Sequence, residues 1–155
     1  MLPEPIGPQL FPRGHSIHAE IIVPESGAQG VIACVGSFSA GWSLYVDDGK
    51  PMFRYTYLDI ADVTIPGSDR LSPGKVTVST RFKPYGSREG AGTLELMVNE
   101  KVVGQGKIKR STFRHSLEPF EIGRDSITPV STDYRGKGDF PFNGRINKVD
   151  FSLAK

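Results

Sequence analysis

The sequence is short of several things, and each shortage removes a class of function. Among its 155 residues there is one cysteine, Cys34, so no intrachain disulfide can staple the fold and packing must hold it. Excess charge is nearly absent: 19 lysines and arginines stand against 17 aspartates and glutamates. A balance of that kind supplies no concentrated basic face, so no nucleic-acid partner is expected. No apolar run approaches the ~18 residues that cross a bilayer, so no membrane span is expected. The first fourteen residues lack a basic segment followed by an apolar one, so they are not a signal peptide. Helical periodicity is missing throughout.

What is present is turn chemistry. The 18 glycines and 12 prolines punctuate short runs of β-type residues. The runs fall at 16–23, 30–35, 42–46, 51–58, 62–65, 75–82, 93–98, 101–109, 117–122 and 144–153. That spacing predicts an all-β domain, a two-sheet antiparallel β-sandwich of jelly-roll or concanavalin A-like type with little or no helix. Residues 1–13 read as an N-terminal arm or linker and 14–155 as the sandwich. Cys34, inside the apolar run Val31-Ile32-Ala33-Cys34-Val35, is expected to be a buried, inert thiol.

One hairpin can be worked out residue by residue. Asp48-Gly49 suits a two-residue type I′ turn, where both positions need positive φ. That turn sets Trp42 opposite Tyr55, Leu44 opposite Phe53 and Val46 opposite Pro51. Trp42, Leu44, Phe53, Tyr55 and Tyr57 then share the core face; Ser43, Tyr45, Asp47, Arg54 and Thr56 share the other. A second turn falls at Asn99-Glu100, where glutamate is a poor residue for positive φ, so a longer loop or bulge is expected. In the last run Ile146 and Lys148 fall on one face and Val149, Phe151 and Leu153 on the other.

Residues able to do chemistry are few. His15 and His18 are three apart and point to opposite faces of a strand; with the isolated His115 they are expected in surface or turn roles. There is no G-x-S-x-G nucleophile turn. The glycine-rich stretch 86–92 lacks the Lys-Ser/Thr ending of a phosphate loop. Glu118 and Glu121 do not share a strand face as a glycosidase pair must. The polar stretch 123–134 holds Asp125 and Asp133, weak candidates for a hard-cation site such as calcium. The competing reading is that these side chains bond their own loop, with Tyr134 reaching a backbone carbonyl. Lys107, Lys109, Arg110 and Arg114 form a small basic region that either guards a strand edge or meets an anionic sugar. No cofactor and no catalytic residue is expected.

The segment Gly41-Trp42-Ser43-Leu44-Tyr45-Val46-Asp47-Asp48-Gly49-Lys50-Pro51 resembles a segment in the C-terminal region of bacterial arylsulfatases. The resemblance continues in order through Leu71-Ser72-Pro73-Gly74-Lys75, the run 92–98, Phe120-Glu121-Ile122-Gly123-Arg124-Asp125 and Phe142-Asn143-Gly144-Arg145-Ile146, covering nearly all of 14–153. It implies a concanavalin-like sandwich accessory to a sulfatase catalytic domain, carried on the same or a separate chain. It implies no activity for this chain, because the C/S-x-P-x-R motif that yields the family's formylglycine is absent. The compartment stays open between bacterial cytoplasm and periplasm. The alternative is a lectin-like carbohydrate-binding module, with Tyr45, Tyr85 and Tyr134 as exposed aromatics and Lys107 and Lys109 beside them. A self-contained hydrolase is the third and weakest reading.

Overall fold

The computed structural model describes residues 1–3, 7–112 and 118–154. Among the described residues ten strands follow one another: β1 (His15–Val23), β2 (Gly30–Gly36), β3 (Ala40–Asp47), β4 (Lys50–Tyr57), β5 (Val63–Pro66), β6 (Gly74–Pro84), β7 (Gly92–Val98), β8 (Lys101–Ile108), β9 (Phe120–Ile122) and β10 (Arg145–Leu153). They form two antiparallel five-stranded sheets, ordered β10-β1-β6-β7-β8 and β5-β4-β3-β2-β9. Helical content among the described residues is a 3-10 turn at Thr132–Tyr134. The chain is thus an all-β sandwich of the expected kind.

Alternation builds the main core. Ile17, Ala19 and Ile21 of β1 face Trp42, Leu44 and Phe53 of the other sheet, and all are buried. The β3–β4 register is the one that Asp48-Gly49 dictates, with Trp42 opposite Tyr55 and Leu44 opposite Phe53. Asp48 and Gly49 take φ of 49° and 76°, as a type I′ turn requires. Trp42 stacks on Phe53, ring centroids 6.1 Å apart.

Two expectations change. Asn99-Glu100 makes a tight turn after all, with φ of 48° and 68°. Asn99 is strapped to β6, donating its N–H to the Thr77 carbonyl at 2.9 Å and accepting the Thr77 N–H on Oδ1 at 3.0 Å. The bulge instead falls further along, where the register shifts between Leu96 and Met97 and leaves Val103 as the extra residue of β8. A bulge also interrupts β10, because Lys148 pairs with Glu20 but Ile146 with Ile21. The slip of one residue turns Ile146 inward beside Val149 and Phe151, against the simple alternation. Leu153 continues past the end of the core and is exposed. The arm, finally, sends Leu10 and Phe11 into the main core.

Candidate functional site

A sandwich has two outer faces, and here they differ. Over the sheet β5-β4-β3-β2-β9 lies the segment 123–143. It is tied down by backbone bonds from Gly123 N to the Ile32 carbonyl and from Val31 N to the Phe140 carbonyl, both 2.9 Å. Val31 also makes a parallel bridge with Pro141. The passage is close: a Cβ on Gly30, whose φ is +114°, would lie 2.1 Å from the Pro141 oxygen. Beneath this cover Val31, Cys34 and Tyr45 pack with Val130, Tyr134 and Phe140 in a second small core. The thiol of Cys34 is buried, donates to the Arg124 carbonyl at 3.4 Å, and is pushed well up by desolvation, so it stays neutral.

Tyr45 and Tyr134, expected as exposed aromatics, are therefore fully buried. Their rings meet edge to face at 5.1 Å, and both hydroxyls are engaged. Tyr134 donates to Asp125 Oδ2 at 2.7 Å and contacts Ser43 Oγ at 3.0 Å, not a backbone carbonyl. Tyr45 donates to Asp133 Oδ2 at 2.5 Å. The outward face read for the β3–β4 hairpin is correct in phase, but the cover removes Ser43 and Tyr45 from solvent, and Thr56 is buried where its hydroxyl meets the Phe38 carbonyl and the Asp62 carboxylate.

Asp125 and Asp133 thus serve different tyrosines. A different set of possible metal ligands does converge: Cys34 Sγ and carboxylate oxygens of Glu121 and Asp125 lie within 4.8 Å of one another. The carboxylates are already committed. Asp125 Oδ2 also accepts the Val130 N–H at 2.9 Å, and Glu121 takes the N–H and hydroxyl of Ser126, each at 2.7 Å. Burial raises the Asp125 carboxyl to about 6, against the two hydrogen bonds that favour its ionised form and with Glu121 and Glu118 nearby. Such a set braces a loop. Calcium or chelator is expected to move the melting temperature by less than ~1 °C, since a metal that binds only the folded state must raise it. A calcium-dependent rise that disappears in Asp125→Ala would instead establish a metal site.

The outer face of the sheet β10-β1-β6-β7-β8 carries no such cover among the described residues. Its register lines up Ser152, Ser16, Arg81, Glu95 and Gln105 in one cross-strand row. The next row holds Asp150, His18, Ser79, Met97 and Val102. Between them runs a groove of about 410 Å³ lined by Ser16, His18, Ser79, Arg81, Met97 and Glu100. Glu95 accepts from Lys83 Nζ at 2.9 Å and lies 3.9 Å from Arg81. Ser79 Oγ and His18 Nδ1 are 3.1 Å apart. Two residues singled out by sequence join this face. Tyr85 is 57% exposed and its hydroxyl meets Thr93 Oγ1 at 2.6 Å; Lys107 is the cross-strand partner of that same Thr93.

Lys109 follows β8 and, with Lys107, borders a smaller cleft of about 180 Å³ beside Ile60 and Asp62. Arg114 and His115 lie outside the described residues. His15, expected in a surface or turn role, is instead buried in line with Ile17. Sequence reasoning passed over Arg81, Ser79, Glu95 and Met97, whose only local signal is the alternation of β6 and β7. Their convergence on His18 depends on pairings of segments some sixty residues apart.

No protein-family model matches the chain, and no curated protein matches it in sequence. Solved structures do resemble it. The CBM40 carbohydrate-binding module of Ruminococcus gnavus IT-sialidase, bound to α2,3-sialyllactose, aligns with TM-score 0.62 and 13% identity over 92% of this chain and 78% of that one. Leech intramolecular trans-sialidase aligns with TM-score 0.60 and 15% identity, over 92% of this chain but 22% of its own. The enzymatically active domain of bacteriophage CBA120 tailspike protein 2 aligns with TM-score 0.52 and 16% identity, over 95% of this chain and 23% of its own.

At these identities what is shared is the fold. The neighbours named are sialidase and tailspike proteins and not arylsulfatase C-terminal domains, which overturns the sulfatase resemblance and leaves the expected sulfatase partner without support. The physical reason lies in the segment that suggested it. Alternating apolar residues closed by Asp-Gly are a common solution for a tight hairpin of this length in unrelated proteins, so the likeness of that segment reports turn chemistry. The open sheet face, moreover, is polar and not the apolar surface that a docked accessory domain would bury.

Proposed function

We propose that this chain is a non-catalytic carbohydrate-binding module that takes its glycan on the outer face of the sheet β10-β1-β6-β7-β8. The observation that carries the proposal is the inequality of the two faces. One is closed by a packed cover; the other holds an open groove with donors, acceptors and one apolar surface within reach of each other. Sugars are bound in that way, by hydrogen bonds to hydroxyls around a face that the ring can lie against. Arg81, His18 and Ser16 line the groove as polar partners over a floor of buried Ser79 and Met97; Glu95 lies beside Arg81, and Tyr85 stands further along the same face. Two cations, Arg81 and Lys83, share the single carboxylate of Glu95, so the face favours a sugar that carries its own carboxylate. The sandwich unit runs from residue 14 to 155, with residues 1–13 as an arm.

The experiment is calorimetric titration with 3′-sialyllactose and with lactose. Binding of the acidic sugar is expected, and Arg81→Ala should weaken it at least ~10-fold, the loss of one charge-assisted hydrogen bond, with an unchanged melting temperature. Equal affinity in Arg81→Ala would move the site elsewhere. Release of a cleaved sugar would make the chain an enzyme.

A further inference from the structure

His15 opens β1, and the alternation that buries Ile17, Ala19 and Ile21 carries its ring inward too, where it is 1% exposed. The ring lies in an aromatic cage. Phe11 of the arm meets it edge-on at 4.5 Å and Phe82 of β6 lies at 5.5 Å. Phe11 is itself wedged against Tyr55 at 4.7 Å and Phe82 at 4.9 Å.

The hydrogen bonding of the ring fixes its protonation state. Nδ1 stands 2.7 Å from the carbonyl oxygen of Arg13, which can only accept, so Nδ1 carries the hydrogen. Nε2 is then a bare lone pair, and it is buried without a partner. A neutral imidazole fits there at modest cost. An imidazolium would place a charged N–H inside the cage with no hydrogen-bond partner; the Leu10 carbonyl favours the charged form, but burial outweighs it. The charged group beside the ring gives no relief. Arg13 on the arm is a cation and opposes a second one. β4 presents Tyr55, whose hydroxyl takes the Thr112 N–H at 3.1 Å; β6 presents Phe82; and β10 pairs Leu153 with His15.

Of the walls of this cage, the segment Leu10–Arg13 is the one that lies outside the strands, although the arm is pinned further back, where Leu2 and Phe120 exchange backbone hydrogen bonds at 3.0 and 2.8 Å. Arg13 N bonds the Leu10 carbonyl at 3.0 Å and the Arg13 guanidinium bonds the Gln9 carbonyl, both within the arm. The walls on β4 and β6 are paired on both sides within their sheets.

We propose that His15 is an acid-sensitive latch: its protonation releases the arm around Leu10–Arg13 from the end of the sandwich while both sheets remain paired. Desolvation holds the imidazole down at about 4, against 6.5 when it is free in water. A depressed folded-state value means that the neutral cage contributes fully above pH 6.5. That contribution is lost as pH falls, and is gone once the folded-state value near 4 is passed. Asp125, raised to about 6, acts in the opposite sense, stabilising most below its free value of 3.8 and least above 6. Global melting curves therefore partly cancel, and the latch has to be read locally.

The test is native-state hydrogen exchange at pH 7 and pH 4, corrected for intrinsic rates, on the wild type and His15→Phe. In the wild type, amides between residues 9 and 15 are expected to lose at least ~10-fold of their protection at pH 4 while β3 and β4 keep theirs. His15→Phe should hold the arm at both values. If that variant folds poorly, Phe11→Ala serves instead: with the cage open, the His15 ring should titrate near 6.5 by NMR. An arm equally protected at both pH values, the same loss in His15→Phe, a loss shared by β3 and β4, or a His15 titration unmoved by Phe11→Ala would each overturn the latch.

Discussion

Trp42→Ala is expected to lower the unfolding free energy by about 3–5 kcal/mol, the range for deleting a large aromatic from a packed core. Trp42 is 1% exposed and lies between the sheets, 6.1 Å from the Phe53 ring and 6.2 Å from that of Phe120. No neighbour can collapse into the space without leaving its own strand register, so most of the cavity would persist. Urea denaturation followed by circular dichroism reads the effect, because the substitution removes the chain's one tryptophan. A midpoint equal to that of the wild type would mean that Trp42 is not in the core. Glycan affinity measured well below the midpoint should be unchanged, since the ring lies on the inner side of the opposite sheet.

The second large effect is expected at Tyr134, from which the cover hangs. Tyr134→Ala removes a ring stacked on Phe140 at 5.0 Å, takes the hydroxyl away from Ser43 Oγ, and leaves Asp125 Oδ2 with the Val130 N–H alone. The loss should again be about 3–5 kcal/mol. Tyr134→Phe keeps the ring and deletes only the hydroxyl, so it should cost about 1–2 kcal/mol. Thermal melts of the two variants separate packing from hydrogen bonding. If alanine and phenylalanine cost the same, the ring contributes nothing and the small core is not a core.

How far the sequence discloses this arrangement depends on how local each feature is. The β3–β4 hairpin was legible down to its cross-strand pairs, because Asp48-Gly49 sets the register at a distance of two residues. The run of strands and the sandwich class followed from alternation and turn residues. Sheet order did not: β1 pairs with β10 and β6, and nothing near His15 announces Leu153 or Phe82. The bulge that turns Ile146 inward is a single-residue slip with no signature of its own. Aromatic side chains were ambiguous for a physical reason. A tyrosine offers the same ring and hydroxyl to a sugar and to a core, and only the cover decides that Tyr45 and Tyr134 are inside while Tyr85 is out. That cover reads as a polar loop, because the positions between Val130, Tyr134 and Phe140 are all polar or glycine.

The same cover sets an order of assembly. Ser43 and Tyr134 are 91 residues apart in the chain, yet they touch. During synthesis, β2 and β3 emerge and can pair long before the segment 123–143 leaves the ribosome. For that interval Val31, Cys34 and Tyr45 form an apolar stripe facing solvent on an otherwise finished hairpin, the kind of surface on which nascent chains associate. Contacts across so much sequence also close slowly, because the loop entropy must be lost before any packing is gained. The polar look of 123–143 has a consequence in this light: the segment arrives last and solvated, and becomes a lid only by folding back onto a stripe that is already in place.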